Sequence, residues 1–542
     1  MLVVGERNSA VVIRKSTQFL LAAFPSLFWI VSGVIALQNR SEHFIASADP
    51  SYNYLVNSYE VMTGVSPFAI HHPGTTLQYL MGVTNFFGWL TSELAQVPFS
   101  ESIVAKPEWY LDLDLLILIV CQALALGYVV VVIARRWGIF ASISFFALVL
   151  ISTRFEVNIF LVGPVALTFV LALLLVGIVI QISEGNKSPK LHFAFGVVAA
   201  LGVMTKATFI PMLVFIGIYW GLKGIKYSLW GFGTSLVIFV LLLRSQIGHM
   251  GYWFIGIALT SGRNPGDTSS LSIQEKILGI PSTAANAVPL IVVAFLVFLA
   301  FSIALKYRRN LSATFVLSRS DCTLVSLAML ASVVAMFLTI KDYRQGDLIL
   351  LAVLAPLVLT IGIQVVMGSL KGPKVIVLPW ILLGIFSFLA FFLFFSSQRS
   401  MAQAQVSSDY LAQVEYLEQA RESGENVIYA YGVFTPGTAL SFGDGLSNHL
   451  LTDIIDIQYP RQASLNVATL RIEKRTTTGL TPWTCFDLAA DLNRGEKFLI
   501  APGRPIDVDQ LKEANGITNL EQVRTFGDWP VYRIQGFDCQ SS

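Results

Sequence analysis

The chain has 542 residues, of which 54% are hydrophobic and 13% are charged, and its mean hydropathy is +0.66. A soluble protein carries roughly 25% charged residues, so this composition excludes a soluble enzyme and a disordered chain. The formal net charge of +2 creates no field that would attract DNA or RNA, so we expect no nucleic-acid partner.

Charge divides the chain near residue 398. Residues 1–398 hold 16 acids and 24 bases, whereas residues 399–542 hold 18 acids and 12 bases. The hydrophobic part therefore predicts an α-helical polytopic membrane module at 1–398. Helical and strand patterns follow one another in the acidic part, which predicts a soluble extracytoplasmic α/β domain at 399–542.

Eleven apolar segments of the first part can cross a bilayer, a task that takes roughly 20 mainly apolar residues. They lie at 18–38, 112–134, 138–152, 159–181, 192–205, 209–222, 228–246, 286–305, 321–340, 348–368 and 375–397. The stretch 192–222 has a second interpretation, a single long span that ends at Pro211. The apolar run of the first span is too long for a signal peptide, so we interpret it as an uncleaved anchor.

Basic residues occupy every second loop between these segments, which fixes the orientation by the positive-inside rule. The clusters are Arg7/Arg14/Lys15, Arg135/Arg136, Lys187/Lys190, Lys223/Lys226, Lys306/Arg308/Arg309/Arg319 and Lys371/Lys374. They place the N-terminus in the cytoplasm and, after an odd number of spans, the C-terminal domain outside, and we expect a bacterial inner membrane. Outside the cytoplasm Cys485 and Cys539 could pair, although their spacing does not prove it.

The first external loop, residues 39–111, opens with an acid before a proline. Asp49 followed by Pro50 is typical of a helix start, and the pattern predicts a helix over 50–63 that ends at Gly64. A simple capping role is therefore one interpretation of Asp49. Farther along, the aromatic-rich stretch 77–90 is short for a span and predicts a helix in the outer membrane interface.

The order of these features resembles the GT-C superfamily of membrane glycosyltransferases. One span leads to a large external loop with an early acid, and further elements follow in the order of that superfamily: His72-Pro73-Gly74-Thr75, Thr153-Arg154-Phe155-Glu156, Gly196…Gly202…Thr205-Lys206 and Lys341-Asp342-Tyr343-Arg344…Pro356. The superfamily includes the oligosaccharyltransferase catalytic subunit, protein O-mannosyltransferases and aminoarabinose transferases. The resemblance implies an enzyme that takes a sugar from a polyprenyl phosphate or diphosphate on the outer face of the membrane. It also implies that an acid of the first loop lies in the active site.

The chemistry of such a transfer suggests roles for charged residues at the external ends of spans. Asp49 is the predicted general base, because the acceptor hydroxyl must lose its proton. Cations at membrane depth are costly unless an anion is near, and a donor phosphate would explain Lys206, Arg344, Lys341 and Arg154. Glu156 is a second acid for substrate or metal, or the ion-pair partner of Arg154.

Three more residues of the first loop are predicted substrate contacts: His71, His72 and Tyr52. Packing at the membrane interface is the alternative for the tyrosine. Adjacent histidines rarely both reach one ion, so no metal site and no cofactor are assigned, and a divalent cation stays open.

Other functions compete with sugar transfer. A lipid or polysaccharide transporter should show internal repeats, and the sequence has none that we detect. A membrane scaffold would not explain the acid of the first loop, and an O-antigen ligase or polymerase carries its large loop late in the chain. The expected partners are membrane lipids, a polyprenyl-linked sugar donor, and a glycan, lipid or protein acceptor, and the external domain either covers the site or binds that acceptor.

Overall fold

The structure is a computed structural model, and it divides into two compact units. It describes residues 15–39, 43, 48–68, 74–153, 157–218, 222–243, 246–248, 250–251, 318–339, 349–369, 408–430, 435–459, 462–466, 471–476, 479–482, 484–501, 508–526 and 529–539. The first unit comprises Met1–Gln38, Ile70–Leu77 and Leu115–Ser400. The second unit comprises Asn39–Ala69, Gln78–Asp114 and Met401–Ser542, so most of the first external loop groups with the C-terminal part of the chain.

Helices dominate the described residues up to 369. In chain order they are α1 (Lys15–Asn39), α2 (Ala48–Met62), α3 (Thr75–Thr91), α4 (Phe99–Ala105), α5 (Pro107–Trp137), α6 (Ile139–Thr153), α7 (Pro164–Ser183), α8 (Pro189–Thr205), α9 (Leu222–Leu242), α10 (Arg319–Thr339) and α11 (Leu351–Ser369). Short 3-10 helices lie at Glu93–Gln96, Val157–Phe160 and Ala207–Ile218.

These helices confirm a polytopic membrane protein. Within the described residues α1, α5, α7, α9 and α10 contain segments long and apolar enough to cross a membrane, and α6, α8 and α11 are shorter apolar helices. Nine of the eleven predicted spans coincide with helical segments. The predicted spans 286–305 and 375–397 lie outside the described residues.

The stretch 192–222 is broken at Lys206. Helix α8 ends at Thr205, and Lys206 is extended with φ −157° and ψ 129° before the 3-10 helix Ala207–Ile218 begins. The chain is therefore divided here, and the alternative of one long span that ends at Pro211 is wrong.

Glycines let α8 and α9 approach each other closely. A Cβ on Gly196 would lie 1.9 Å from the carbonyl oxygen of Ser228, and one on Gly231 would lie 2.1 Å from the carbonyl oxygen of Phe193. Small residues at such contacts are the usual means by which membrane helices pack backbone to backbone.

A partly buried ion pair joins helix ends in the first unit. The Arg136 guanidinium, near the end of α5, lies 2.6 Å from the Asp321 carboxylate at the start of α10, and it donates to the carbonyl of Ile180 at the end of α7. These three helix ends must lie on one side of the membrane. The predicted topology places all three on the same side, because it separates them by an even number of crossings.

The C-terminal part of the second unit is an α/β domain. Its elements are α12 (Ser408–Glu422), β1 (Asn426–Ala430), α13 (Pro436–Gly445), α14 (Thr452–Gln458), β2 (Gln462–Asn466), β3 (Arg471–Thr476), β4 (Gly479–Pro482), α15 (Cys485–Asn493), β5 (Phe498–Ala501), α16 (Val508–Asn515), β6 (Ile517–Phe526) and β7 (Trp529–Phe537). The sheet order is β4-β3-β2-β1-β5-β7-β6, with β1 parallel to β2 and β5 and the other pairs antiparallel. Its core includes Ile428, Phe498 and Leu511, and the predicted α/β fold of this part of the chain is confirmed.

A disulfide joins Cys485, at the start of α15, to Cys539, just after β7. The sequence left this pairing open. Disulfides form in oxidising compartments, so the bond agrees with a C-terminal domain outside the cytoplasm.

Candidate functional site

Helix α2 carries the predicted base. It begins at Ala48, two residues before the predicted start at Pro50, so Asp49 lies inside its first turn and not at the cap position that the sequence predicted. At the other end Gly64 has φ +81°, and the N–H groups of Val65 and Gly64 donate to the carbonyls of Glu60 and Val61. This Schellman arrangement satisfies carbonyls that the end of the helix would otherwise leave unpaired. The predicted helix and its glycine terminator are therefore confirmed.

Polar side chains of α2 are buried inside the second unit. Asn57 donates from Nδ2 to the carbonyl of Leu446, 3.1 Å away, and both Asn57 and Ser58 are fully buried. A Cβ on Gly443 of α13 would lie 2.6 Å from the carbonyl oxygen of Tyr52, so the two helices touch backbone to backbone. The C-terminal domain is thus packed directly against the helix that bears Asp49.

Glu60 joins the same helix to the segment that follows α13. The Glu60 carboxyl accepts hydrogen bonds from the backbone N–H of Asn448 and, at 2.8 Å, from Asn448 Nδ2. Burial raises the pKa of Glu60 to about 7, against the lowering effect of the Asn448 donors, and the neighbouring Asp444 carboxylate adds to the rise.

Asp444 organises the turn that faces Glu60. Its buried carboxylate accepts from the Thr452 hydroxyl at 2.6 Å and from the backbone N–H of Leu451 at 3.2 Å, and His449 Nδ1 lies 3.6 Å away. His449 adopts a left-handed backbone with φ 61°. These contacts hold the 444–452 segment in the conformation that meets α2.

Glu108, in the first turn of α5, touches the chain on both sides of Asp49. Its Oε1 accepts from the Tyr52 hydroxyl at 2.7 Å and its Oε2 accepts from the His43 backbone N–H at 2.7 Å. We call these contacts the Glu108 clamp. Tyr52 is fully buried, and the structure places this predicted substrate contact in a hydrogen bond with Glu108.

A second polar cluster ties α2, α3 and α5 together. Asn85 donates from Nδ2 to Asp114 Oδ2 at 3.0 Å and to Ser58 Oγ at 3.4 Å, and all three side chains are buried. Next to this cluster, α3 leaves Val83, Phe87 and Leu90 exposed. The predicted helix at 77–90 is confirmed, and this apolar face fits the interfacial position that the sequence predicted for it.

In the first unit, Lys206 lies where α8 stops. Its backbone N–H donates to the carbonyl of Gly202 at 2.9 Å, and its side chain is partly buried. The ring of Phe209 packs so closely on Gly202 that an added Cβ would lie 2.3 Å from it. Tight packing around this break fixes the position at which Lys206 leaves the helix.

Several predicted site residues lie outside the described residues. They are Arg154, Glu156, His71, His72, Lys341 and Arg344, and of Asp49 the structure describes the backbone. Their predicted roles stay predictions. No group of three or more His, Cys, Asp and Glu side chains that could hold a metal ion occurs in the described part of the chain.

Glu108, Glu60 and Asp444 were not identified from the sequence. Their partners lie far away along the chain, such as His43 for Glu108 and Asn448 for Glu60, 388 residues distant. The available signal was that Glu60 falls on the helix predicted to follow Asp49, where it is an acid in a mostly uncharged segment.

Comparison with known proteins identifies the fold. No family model and no curated protein sequence matches the chain. Among solved structures, the chain is similar to ArnT from Cupriavidus metallidurans, a GT-C aminoarabinose transferase, in its apo state and bound to undecaprenyl phosphate. The TM-scores are 0.54 and 0.53, the sequence identity is 11%, and each match covers 96% of this chain and 98% of the ArnT chain. The chain therefore shares the fold of ArnT, a member of the superfamily that the sequence resembles.

Proposed function

We propose that the protein is an integral membrane glycosyltransferase that moves a sugar from a polyprenyl phosphate or diphosphate to an acceptor outside the cytoplasm. The observation that carries this proposal is the likeness over nearly the whole of both chains to ArnT, which has been crystallised with undecaprenyl phosphate. The acid in the first turn of α2 and the cation at the end of α8 add chemistry that such a reaction needs.

Asp49 is the general base in this proposal. The acceptor hydroxyl attacks the anomeric carbon of the sugar and transfers its proton to the Asp49 carboxylate, while the bond from that carbon to the phosphate oxygen breaks. The N-terminal end of α2 favours the ionised carboxylate, because helix N-termini stabilise negative charge. A base must be ionised before it accepts a proton, so this position suits the role.

Basic residues receive the departing phosphate. Lys206, Arg344, Lys341 and Arg154 are the proposed ligands of the donor phosphate, and they stabilise the charge that develops on it as the bond breaks. Phosphate is a good leaving group once it is neutralised, so no general acid is required. Glu156 is proposed to contact substrate or a divalent cation, and His71 and His72 to contact substrate.

The experiment is an incubation of the purified protein, in lipid nanodiscs, with a panel of radiolabelled polyprenyl-phosphate sugars and membrane glycans. We expect one donor to lose its sugar and to leave free polyprenyl phosphate. If every donor stays intact while the protein moves labelled lipid across a vesicle membrane, the transferase proposal is wrong and the transporter alternative is correct.

A further inference from the structure

The two residues that Glu108 contacts lie before and after Asp49 in the sequence. His43 lies six residues before Asp49, and Tyr52 lies three residues after it, one turn farther along α2. The two hydrogen bonds go to the two different oxygens of the same carboxylate, each at 2.7 Å. One carboxylate therefore holds the His43 backbone and the Tyr52 side chain, which lie on either side of Asp49 in the sequence.

The residues that donate to Glu108 are buried, and one of them has a further contact to α5. His43 and Tyr52 are both fully buried. Hydrogen bonds to an ionised carboxylate are shorter and stronger than those between neutral groups. Asp112, one helical turn after Glu108 on α5, lies 3.3 Å from His43 Nε2 and gives the same segment a further contact.

We infer that Glu108 is a positioning residue that sets where Asp49 stands relative to the reacting sugar. This inference rests on the proposed function for the role of Asp49. General-base catalysis requires the carboxylate within hydrogen-bonding distance of the acceptor hydroxyl, and a displacement of about 1 Å costs on the order of 10²-fold in rate. Glu108 touches no reacting atom in this scheme and acts through the His43 backbone N–H and the Tyr52 side chain that it holds.

The test uses Glu108→Gln, Tyr52→Phe and the double variant of the full-length protein in nanodiscs. A glutamine amide can accept one of the two hydrogen bonds through its oxygen, while its NH2 group cannot accept the other. Glu101→Gln is the matched control, because it neutralises an exposed acid in the first turn of α4 in the same loop.

Two measurements decide the outcome: hydrogen–deuterium exchange in peptides covering residues 43–52, and steady-state kinetics of sugar transfer. We expect faster exchange in both single variants, a kcat lowered about 10- to 100-fold, and a donor KM within about twofold of wild type. Because both residues belong to one clamp, the kcat of the double variant should lie no more than about twofold below that of Glu108→Gln. The control should match wild type in both measurements.

Unchanged exchange in the two single variants would overturn the inference. Faster exchange together with a wild-type kcat would also overturn it. The same holds if the fold-loss of kcat in the double variant equals the product of the two single fold-losses, since independent effects multiply. A wild type that transfers no sugar would overturn the proposed function instead, and the exchange rates alone would then decide whether Glu108 fixes this segment.

Discussion

The Glu60 carboxyl illustrates how single residues of the first loop depend on distant parts of the chain. It lies on α2, eleven residues after Asp49, yet its hydrogen-bond donors come from Asn448. Local sequence identifies Asp49 from the acid–proline pair that starts a helix. It could not identify Glu60 or Glu108, because what distinguishes them is a partner 388 or 65 residues away.

The pKa of Glu60 predicts a pH dependence of stability. Its ordinary value is 4.5 and burial raises it to about 7, so the folded protein holds this proton more tightly than the unfolded chain does. The corresponding stabilisation is fully present below pH about 4.5 and is lost as the pH rises through about 7. The loss is on the order of 3 kcal/mol, since one pKa unit corresponds to about 1.4 kcal/mol.

Replacing Glu60 by Gln should remove this dependence. We expect the unfolding temperature of Glu60→Gln minus that of wild type to increase as the pH rises from 5 to 8. Glu101→Gln, an exposed acid of the same loop, should keep the wild-type profile. Parallel pH profiles for wild type and Glu60→Gln would show that Glu60 titrates normally in the folded protein.

At the scale of elements, the sequence predicted helices and their ends well where local chemistry determines them. Gly64 has a positive φ of 81° and follows α2, the helix that was predicted to end at this glycine. Strands β2 to β4 were missed. They are short, and β3 is rich in charge, as Arg471–Thr476 shows, so they lack the apolar alternation that indicates a strand.

The contact between α2 and α13 gives a prediction at this scale. Gly443→Ala places a Cβ 2.6 Å from the carbonyl oxygen of Tyr52, and backbone at that distance must move. We expect a loss of about 1–3 kcal/mol in stability, which is typical of overpacking, together with reduced transfer. Chemical denaturation followed by fluorescence measures the first, and the donor assay the second.

Gly445→Ala is the matched control in the same helix. A Cβ on Gly445 meets no atom within 4 Å, so alanine there should be neutral or should stabilise α13 by up to about 1 kcal/mol through its better helix propensity. Equal effects of the two substitutions would contradict close contact between α2 and α13.

For the whole molecule, composition and charge were enough to predict a membrane module followed by an α/β domain. The alternation of basic loops predicted which helix ends share a side, and the Arg136–Asp321 ion pair agrees with it. The grouping of the first loop with residues 401–542 could not be predicted, because hydropathy and charge describe each segment separately. That grouping depends on long-range contacts such as the one between Tyr459 and the carbonyl of Val104.

Topology itself is testable with reporter fusions. A reporter that is active only outside the cytoplasm should be silent when fused after Ser188, between α7 and α8, and active when fused after Ser542. The positive-inside rule and the Cys485–Cys539 disulfide both support an external C-terminus. Equal signals from the two fusions would contradict the predicted eleven-span arrangement.

The central claim is sugar transfer with Asp49 as the base, and the turnover of Asp49→Asn tests it most directly. Asparagine keeps the shape of the side chain and caps helices well, so a residue that merely caps α2 would tolerate the change. Asp453→Asn, an exposed acid in the first turn of α14, is the matched control. We predict that Asp49→Asn folds, still binds the donor, and transfers sugar roughly 10²- to 10⁴-fold more slowly than wild type. Near-normal turnover in a folded Asp49→Asn protein would contradict this claim and would make Glu156 the next base to test.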